Sequence, residues 1–173
     1  MAAATTRLVL ITGAPGVGKT SVAQALAVSL DGTVARLCGD VFVLAVTPFE
    51  ISVDRRLFLR HNLASFVRHS LEHAYDWALI ECVIPSDAFI ADLVAEVGLP
   101  DDCVFVFSLV ADDDAYRARL RAKAERAGAS DAGLRACEEW MERIRALELP
   151  TPIDTSRRGL EDTTSALQKL LRL

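Results

Sequence analysis

Eight consecutive residues near the amino terminus have the types and spacing that bind a phosphate chain. They match the pattern G-x-x-x-x-G-K-[ST], the P-loop, and are Gly13, Ala14, Pro15, Gly16, Val17, Gly18, Lys19 and Thr20. Glycine lets backbone N–H groups approach an anion without an intervening Cβ, and the helix predicted after the loop directs its positive end at the same point. We therefore predict that residues 13–21, which include Ser21, bind the cofactor ATP.

Two side chains at the end of this loop have separate predicted roles. Lys19 reaches the β- and γ-phosphates and is a predicted catalytic residue, while the hydroxyl of Thr20 is a predicted ligand of Mg²⁺. The sequence has no G-x-G-x-x-G dinucleotide fingerprint and neither the D-x-x-G nor the N-K-x-D motif of Ras-type GTPases. A chain of 173 residues has little room for the added subdomains of large ATPases. These observations favour a small kinase.

Two acidic residues follow or end predicted strands. Asp40 comes directly after the second strand, at the sheet edge where open α/β folds bind their ligands. There its carboxylate would accept a proton from an acceptor hydroxyl or reach Mg²⁺ through water; the alternative is an N-cap for the next helix. Glu81 directly follows the apolar run 78–80, where P-loop proteins place a metal-binding carboxylate. It is a predicted metal ligand, with a salt bridge as the alternative.

Basic residues crowd the helix predicted after the fourth strand. A basic flap would close over the phosphates and stabilise the transferred group, and Arg119 and Arg126 are the predicted catalytic arginines. The alternative is a solvated helix face. The residues are Arg117, Arg119, Arg121, Lys123 and Arg126. A second basic group lies on the long helix predicted at 54–75, where it either lines the acceptor pocket or is plain surface. It comprises Arg55, Arg56, Arg60 and His61.

Apolar runs alternate with helical patterns along the whole chain. The predicted strands are 7–12, 33–38, 77–83, 103–110 and 150–154, and the predicted helices are 17–30, 41–46, 54–75, 86–97, 112–127, 130–147 and 160–171. Such alternation predicts an α/β fold with a parallel sheet and helices on both faces. We expect one domain over 1–173, with the P-loop at 13–20, an acceptor-binding helical region at about 41–75 and a lid at about 117–131.

Composition limits the classes of partner. Apolar residues make up 51% of the chain and charged residues 25%, as in globular proteins. The net charge of -5 argues against nucleic acid and anionic membranes as partners. The spacing of the four cysteines offers no zinc site and predicts small buried side chains in a reducing compartment. We therefore expect a cytoplasmic protein, a monomer or homodimer, whose partner is a small-molecule acceptor.

The chain resembles small P-loop kinases of the nucleoside-monophosphate-kinase-like superfamily. Residues 39–48 are similar to the chloramphenicol phosphotransferase segment whose aspartate is the base, which implies that role for Asp40. Residues 119–125 and 152–156 resemble the lid helix and the segment after the last strand of the tunicamycin resistance proteins, and in such kinases the latter lies near the adenine. The pair Glu81-Cys82 departs from both groups. The resemblance implies sheet order 2-3-1-4-5 and transfer of the γ-phosphate of ATP.

These lines together predict a phosphotransferase that uses ATP and Mg²⁺ and acts on a hydroxyl of a small molecule, either an antibiotic or a metabolite. Two alternatives stay open. A nucleoside or nucleotide kinase would differ only in its acceptor pocket, at Arg56 and Arg60. A regulatory module would bind ATP without transferring phosphate.

Overall fold

The computed structural model describes residues 6–44, 53–84, 86–127 and 151–171, together with 135, 138, 139, 141, 142, 145 and 146. Five parallel strands form one sheet in the order β2-β3-β1-β4-β5. The strands are β1 (Arg7–Gly13), β2 (Val34–Cys38), β3 (Trp77–Glu81), β4 (Val104–Val110) and β5 (Pro152–Asp154). The predicted α/β class and sheet order are confirmed, and β5 is an edge strand.

Six helices connect and follow these strands within the described residues. They are α1 (Lys19–Ser29), α2 (Asp40–Leu44), α3 (Val53–Glu72), α4 (Asp87–Val97), α5 (Asp113–Ala127) and α6 (Leu160–Leu170). In the predicted helix 130–147, the seven described residues have helical backbone and the others lie outside the described part. The end of the predicted helix 41–46 and residues 128–131 of the predicted lid also lie outside it.

The core lies on both faces of the central strands. Residues 8–11 of β1 and 77–80 of β3 are almost completely buried, as expected for the inner strands of a parallel sheet covered by helices. Helix α1 packs against α6, and α3 packs against α4. Strand β2 has a single partner strand and is only half-buried. No helix among the described residues is long and apolar enough to cross a membrane.

Local sequence signals set the ends of α4. The Ser86 hydroxyl accepts a hydrogen bond from the Phe89 N–H at 3.2 Å, so it caps the amino-terminal end of the helix. Gly98 ends the helix in the left-handed conformation with φ 73°. The sequence predicted this helix over 86–97, which is within one residue of the observed bounds.

Candidate active site

The P-loop connects the carboxyl end of β1 to the first turn of α1, at the centre of the sheet. Gly13 has φ 144°, and a Cβ there would lie 2.6 Å from the main-chain oxygen of Leu109. Gly16 has φ 87°, and a Cβ there would lie 2.7 Å from Cδ2 of Leu120. Only glycine fits both places, because the backbone is left-handed and neighbouring atoms fill the space. The loop is thus held tightly between β4 and α5.

Lys19 is buried at the start of α1, with 5% of its side chain exposed. Its Nζ donates hydrogen bonds to the main-chain oxygens of Gly13 at 3.2 Å and Ala14 at 3.3 Å. The same Nζ lies 3.6 Å from Oδ2 of Asp40. The loop and one carboxylate therefore surround a buried ammonium group, which places a positive charge where the P-loop would receive phosphates.

Asp40 is the first residue of α2 and follows the end of β2. Its Oδ1 accepts a hydrogen bond of 2.7 Å from the backbone N–H of Val83, which follows the end of β3. Its Oδ2 faces Lys19, and 30% of the side chain is exposed. The carboxylate thus bonds with groups outside its own helix, and one oxygen is fixed while the other faces the P-loop lysine.

The amino-terminal half of α5 lies against the P-loop. The Tyr116 hydroxyl donates a hydrogen bond of 2.7 Å to the main-chain oxygen of Pro15. Nη1 of Arg119 donates to the main-chain oxygen of Val17 at 3.3 Å and to Oγ1 of Thr155 at 2.8 Å, and Nη2 donates to the main-chain oxygen of Thr155. Arg119 therefore joins the loop to the segment after β5.

These elements enclose a cavity of about 740 Å³. That is large enough for a nucleotide-sized ligand, since small-molecule sites span about 300–1,000 Å³. Thr20 and Ser21 are exposed and line it. The described lining residues are Pro15, Gly16, Val17, Gly18, Lys19, Thr20, Ser21, Val22, Asp40, Arg119, Ala122, Lys123, Thr155, Arg158, Gly159, Leu160 and Thr163.

Most of the predicted site residues therefore meet in one place. The structure brings residues 15–21 together with Asp40 and Arg119. Arg126 belongs to α5, but its side chain lies outside the described residues. Tyr116 was not predicted as a site residue. Thr155 follows the last strand and belongs to residues 152–156, the segment that the resemblance to the tunicamycin resistance proteins places near the adenine.

Glu81 forms a salt bridge, which was the alternative to its predicted role as a metal ligand. Its side chain is 0% exposed, and both of its oxygens accept hydrogen bonds from Arg36. The carboxylate raises the pKa of the Arg36 guanidinium, chiefly through these hydrogen bonds. Among the described residues that line the cavity, Glu81 is absent. The geometry therefore favours the salt bridge over the predicted metal ligation. The sequence did contain a signal for this pair, because Arg36 and Glu81 carry opposite charges in two predicted strands, 33–38 and 77–83.

The second basic group lies at a contact between two helices. Arg60 of α3 donates to Asp92 at 2.8 Å and to Glu96 at 2.9 Å, both on α4. His61 Nδ1 lies 2.7 Å from the same Glu96, and these contacts lower the pKa of that carboxyl. Arg60 and His61 thus join α3 to α4, and neither is among the described residues that line the cavity.

One thiol is buried next to the site. Burial raises the pKa of Cys82 well above its ordinary value, and the nearby Asp40 raises it further. Cys38, Cys82 and Cys103 are free thiols, and Cys137 lies outside the described residues. The described part of the chain contains no cluster of three His, Cys, Asp or Glu residues able to hold a metal ion.

The structure was compared with solved structures. A sugar kinase from Janibacter sp. superposes with a TM-score of 0.72 at 19% identity, over 96% of this chain and 95% of that one. The fold is that of the small P-loop kinases. A tunicamycin resistance protein from Deinococcus radiodurans gives 0.70 at 20% identity, over 97% of this chain and 96% of that one. A gluconokinase from Sinorhizobium meliloti 1021 superposes with a TM-score of 0.64 at 14% identity, over 98% of this chain and 95% of that one.

The P-loop kinase fold thus covers nearly the whole chain at low sequence identity. No family model and no curated protein sequence matches this chain. The resemblance inferred from short motifs is confirmed for the fold, because one of the similar structures belongs to a group that those motifs indicated.

Proposed function

We propose that this protein is a phosphotransferase that moves the γ-phosphate of ATP to a hydroxyl of a small molecule. The contact between Nζ of Lys19 and Oδ2 of Asp40, 3.6 Å apart in the P-loop cavity, carries the proposal. A phosphate-binding cation and a carboxylate that is able to take a proton are the two groups that such a transfer needs side by side.

Each group has a defined part in the proposed reaction. The P-loop N–H groups and Lys19 bind the β- and γ-phosphates and stabilise the charge that develops during transfer. The acceptor oxygen forms a bond to the γ-phosphorus while the bond from that phosphorus to the ADP oxygen breaks, and the acceptor proton moves to Asp40. Arg119 positions the wall of the cavity through Val17 and Thr155.

The residues present fit a magnesium ion that is bound mainly by phosphates. Mg²⁺ in such sites commonly has few protein ligands, keeps several waters and contacts the substrate phosphates, where it neutralises their charge. The Thr20 hydroxyl is exposed in the cavity and would hold the ion. Asp40 is the carboxylate that lines the same cavity among the described residues.

The proposed acceptor is a small hydroxyl compound, either a metabolite such as a sugar or sugar acid or an antibiotic. The similar structures are titled a sugar kinase, a gluconokinase and a tunicamycin resistance protein, which supports a small hydroxyl compound. The alternative of a nucleoside or nucleotide kinase placed its difference in the acceptor pocket, at Arg56 and Arg60. Arg60 instead pairs with Asp92 and Glu96, so one of those two residues is engaged elsewhere.

ADP release from Mg-ATP tests the proposal. The acceptor panel holds nucleosides, nucleoside monophosphates, sugar acids, shikimate, chloramphenicol, tunicamycin and aminoglycosides. We expect one class to stimulate release, and we expect Lys19→Ala to abolish that stimulation while the protein stays folded by circular dichroism. Lys169→Ala, on the exposed end of α6, is the matched control and should behave as wild type. Equal ADP release by Lys19→Ala would refute the proposal.

A further inference from the structure

Arg36 and Glu81 form an ion pair beside the cavity that the proposed reaction does not use. Glu81 is the last residue of β3 and lies opposite Cys38 of β2 in the sheet. Arg36, two residues before Cys38, therefore projects from the same face of the sheet as Glu81. Its Nε lies 3.2 Å from Oε2 and its Nη2 lies 2.8 Å from Oε1. One guanidinium thus bonds with both oxygens of a fully buried carboxylate.

This geometry leaves Glu81 poorly suited to bind a metal ion. Mg²⁺ requires near-octahedral geometry with oxygen ligands at about 2.1 Å, and it keeps much of its water. The Glu81 side chain has no exposed surface, and both of its oxygens already accept from a cation. Thr20 and Asp40, by contrast, line the cavity.

The same short segment instead holds Asp40. The main-chain oxygen of Glu81 accepts a hydrogen bond of 2.8 Å from the N–H of Gly39, the residue before Asp40. Two residues after Glu81, the N–H of Val83 donates to Oδ1 of Asp40 at 2.7 Å. Residues 81–83 therefore fix both the backbone before Asp40 and its carboxylate.

Strand β2 needs such a fixed point because it is the outer strand and pairs with β3 alone in the described sheet. Its carboxyl end also packs closely. A Cβ on Gly39 would lie 3.0 Å from Cβ of Cys82 and 3.0 Å from Cδ2 of Leu63. The side-chain pair joins the two strands just before this point.

We propose that Arg36 and Glu81 are a positioning pair that fixes Asp40 in the cavity, and that Glu81 does not bind the metal ion. The inference rests on the proposed function in one respect, which is the role of the positioned Asp40 carboxylate as the base. The pair itself can be tested without nucleotide.

Amide hydrogen exchange, measured by NMR on the free protein, tests the positioning role. In Glu81→Gln we expect exchange at Gly39 and Val83 to become about tenfold faster while the backbone amides of β4 keep their rates, because the opening is local. Glu96→Gln is the matched control, since Glu96 also pairs with an arginine but lies at the α3–α4 contact. It should leave Gly39 and Val83 unchanged. Unchanged exchange in Glu81→Gln, or equal acceleration throughout the sheet, would overturn the proposal.

Calorimetric binding of a non-hydrolysable ATP analogue, with and without Mg²⁺, tests the metal role. We expect Glu81→Gln to keep the magnesium-dependent gain in affinity within about twofold of wild type, and Thr20→Val to lose it. An equal loss in both variants would mean that magnesium binding depends on Glu81 as much as on Thr20, and it would refute the inference. If Glu81→Gln does not fold, Arg36→Lys replaces it, because an ammonium keeps the charge but not the two-point geometry.

The two experiments distinguish a failure of this proposal from a failure of the proposed function. If wild type does not bind the analogue, the proposed function is wrong, and amide exchange still decides whether the pair positions Asp40.

Discussion

Oδ1 of Asp40 accepts the backbone N–H of Val83 at 2.7 Å, although 43 residues separate the two in the sequence. Each residue follows the end of one of two neighbouring parallel strands, β2 and β3. The bond leaves Oδ2 facing Lys19 at 3.6 Å. The orientation of the proposed base therefore depends on the register between these strands.

Asp40→Asn separates an enzyme from a protein that only binds ATP. An amide oxygen still accepts the Val83 N–H, but it cannot take a proton at neutral pH. We expect turnover to fall by about 10²–10⁴-fold, the usual contribution of a general base. We expect ATP affinity to stay within about threefold of wild type. Steady-state kinetics and calorimetry measure the two quantities.

The control for this variant is Asp87→Asn, an exposed residue in the first turn of α4. It should match wild type in both measurements. An Asp40→Asn protein that retains full stimulated turnover would rule out Asp40 as the base.

Arg119→Met should weaken nucleotide binding and stability together. The variant removes the N–H groups donated to Val17 and to Thr155, which is 3% exposed. Because hydrogen bonds to charged groups contribute about 1.5–3 kcal/mol, we expect a loss of about 2 kcal/mol in the free energy of unfolding. We expect about a tenfold rise in the Kd for ATP.

Urea unfolding and calorimetry measure these effects. Arg121→Met, an exposed residue two positions along α5, is the matched control. If the two variants behave alike, Arg119 does not hold the cavity wall.

Gly13→Ala should destabilise the fold more than Gly98→Ala. Both residues have positive φ, 144° and 73° respectively. At Gly98 a Cβ would meet no atom within 4 Å, so the loss should be about 1 kcal/mol from backbone strain alone. At Gly13 the added Cβ would lie 2.6 Å from the Leu109 main-chain oxygen, which cannot rotate away. A loss of about 3 kcal/mol or more is expected there.

The free energies of unfolding in urea provide the comparison. Equal losses in the two variants would mean that the loop has room to move away from β4.

Cys82 should react slowly with thiol reagents in the native protein. Burial raises the pKa of its thiol, so the thiolate fraction at any pH below that value is smaller than for an ordinary cysteine. Cys38 is only partly buried and serves as the internal reference. At pH 8 we expect Cys82 to react with iodoacetamide on the order of 100-fold more slowly than Cys38.

Peptide mapping by mass spectrometry after timed alkylation measures both rates, and unfolding in urea should make them similar. Fast native labelling of Cys82 would show that the site opens at the end of β3.

Local patterns were sufficient for much of this protein. The P-loop is a contiguous motif whose glycines and lysine act within eight residues, and the alternation of apolar runs and helical periods predicted the α/β class. Nearby residues also determine the ends of α4, since Ser86 and Gly98 form hydrogen bonds with backbone groups of that helix. The expected position of Asp40 at the sheet edge followed from its place after a strand.

The partners of these residues depended on the tertiary structure. Arg36 and Glu81 are 45 residues apart, and Arg119 and Thr155 are 36 apart. Arg36 meets Glu81 because β2 and β3 are neighbours in the sheet, and Arg119 meets Thr155 because α5 lies beside the segment that follows β5. The sequence by itself determined the phosphate-binding loop and the class of fold, since both arise from neighbouring residues. Only the tertiary structure decided that Glu81 pairs with Arg36 while Asp40 faces Lys19, because contacts between distant residues depend on strand register and packing.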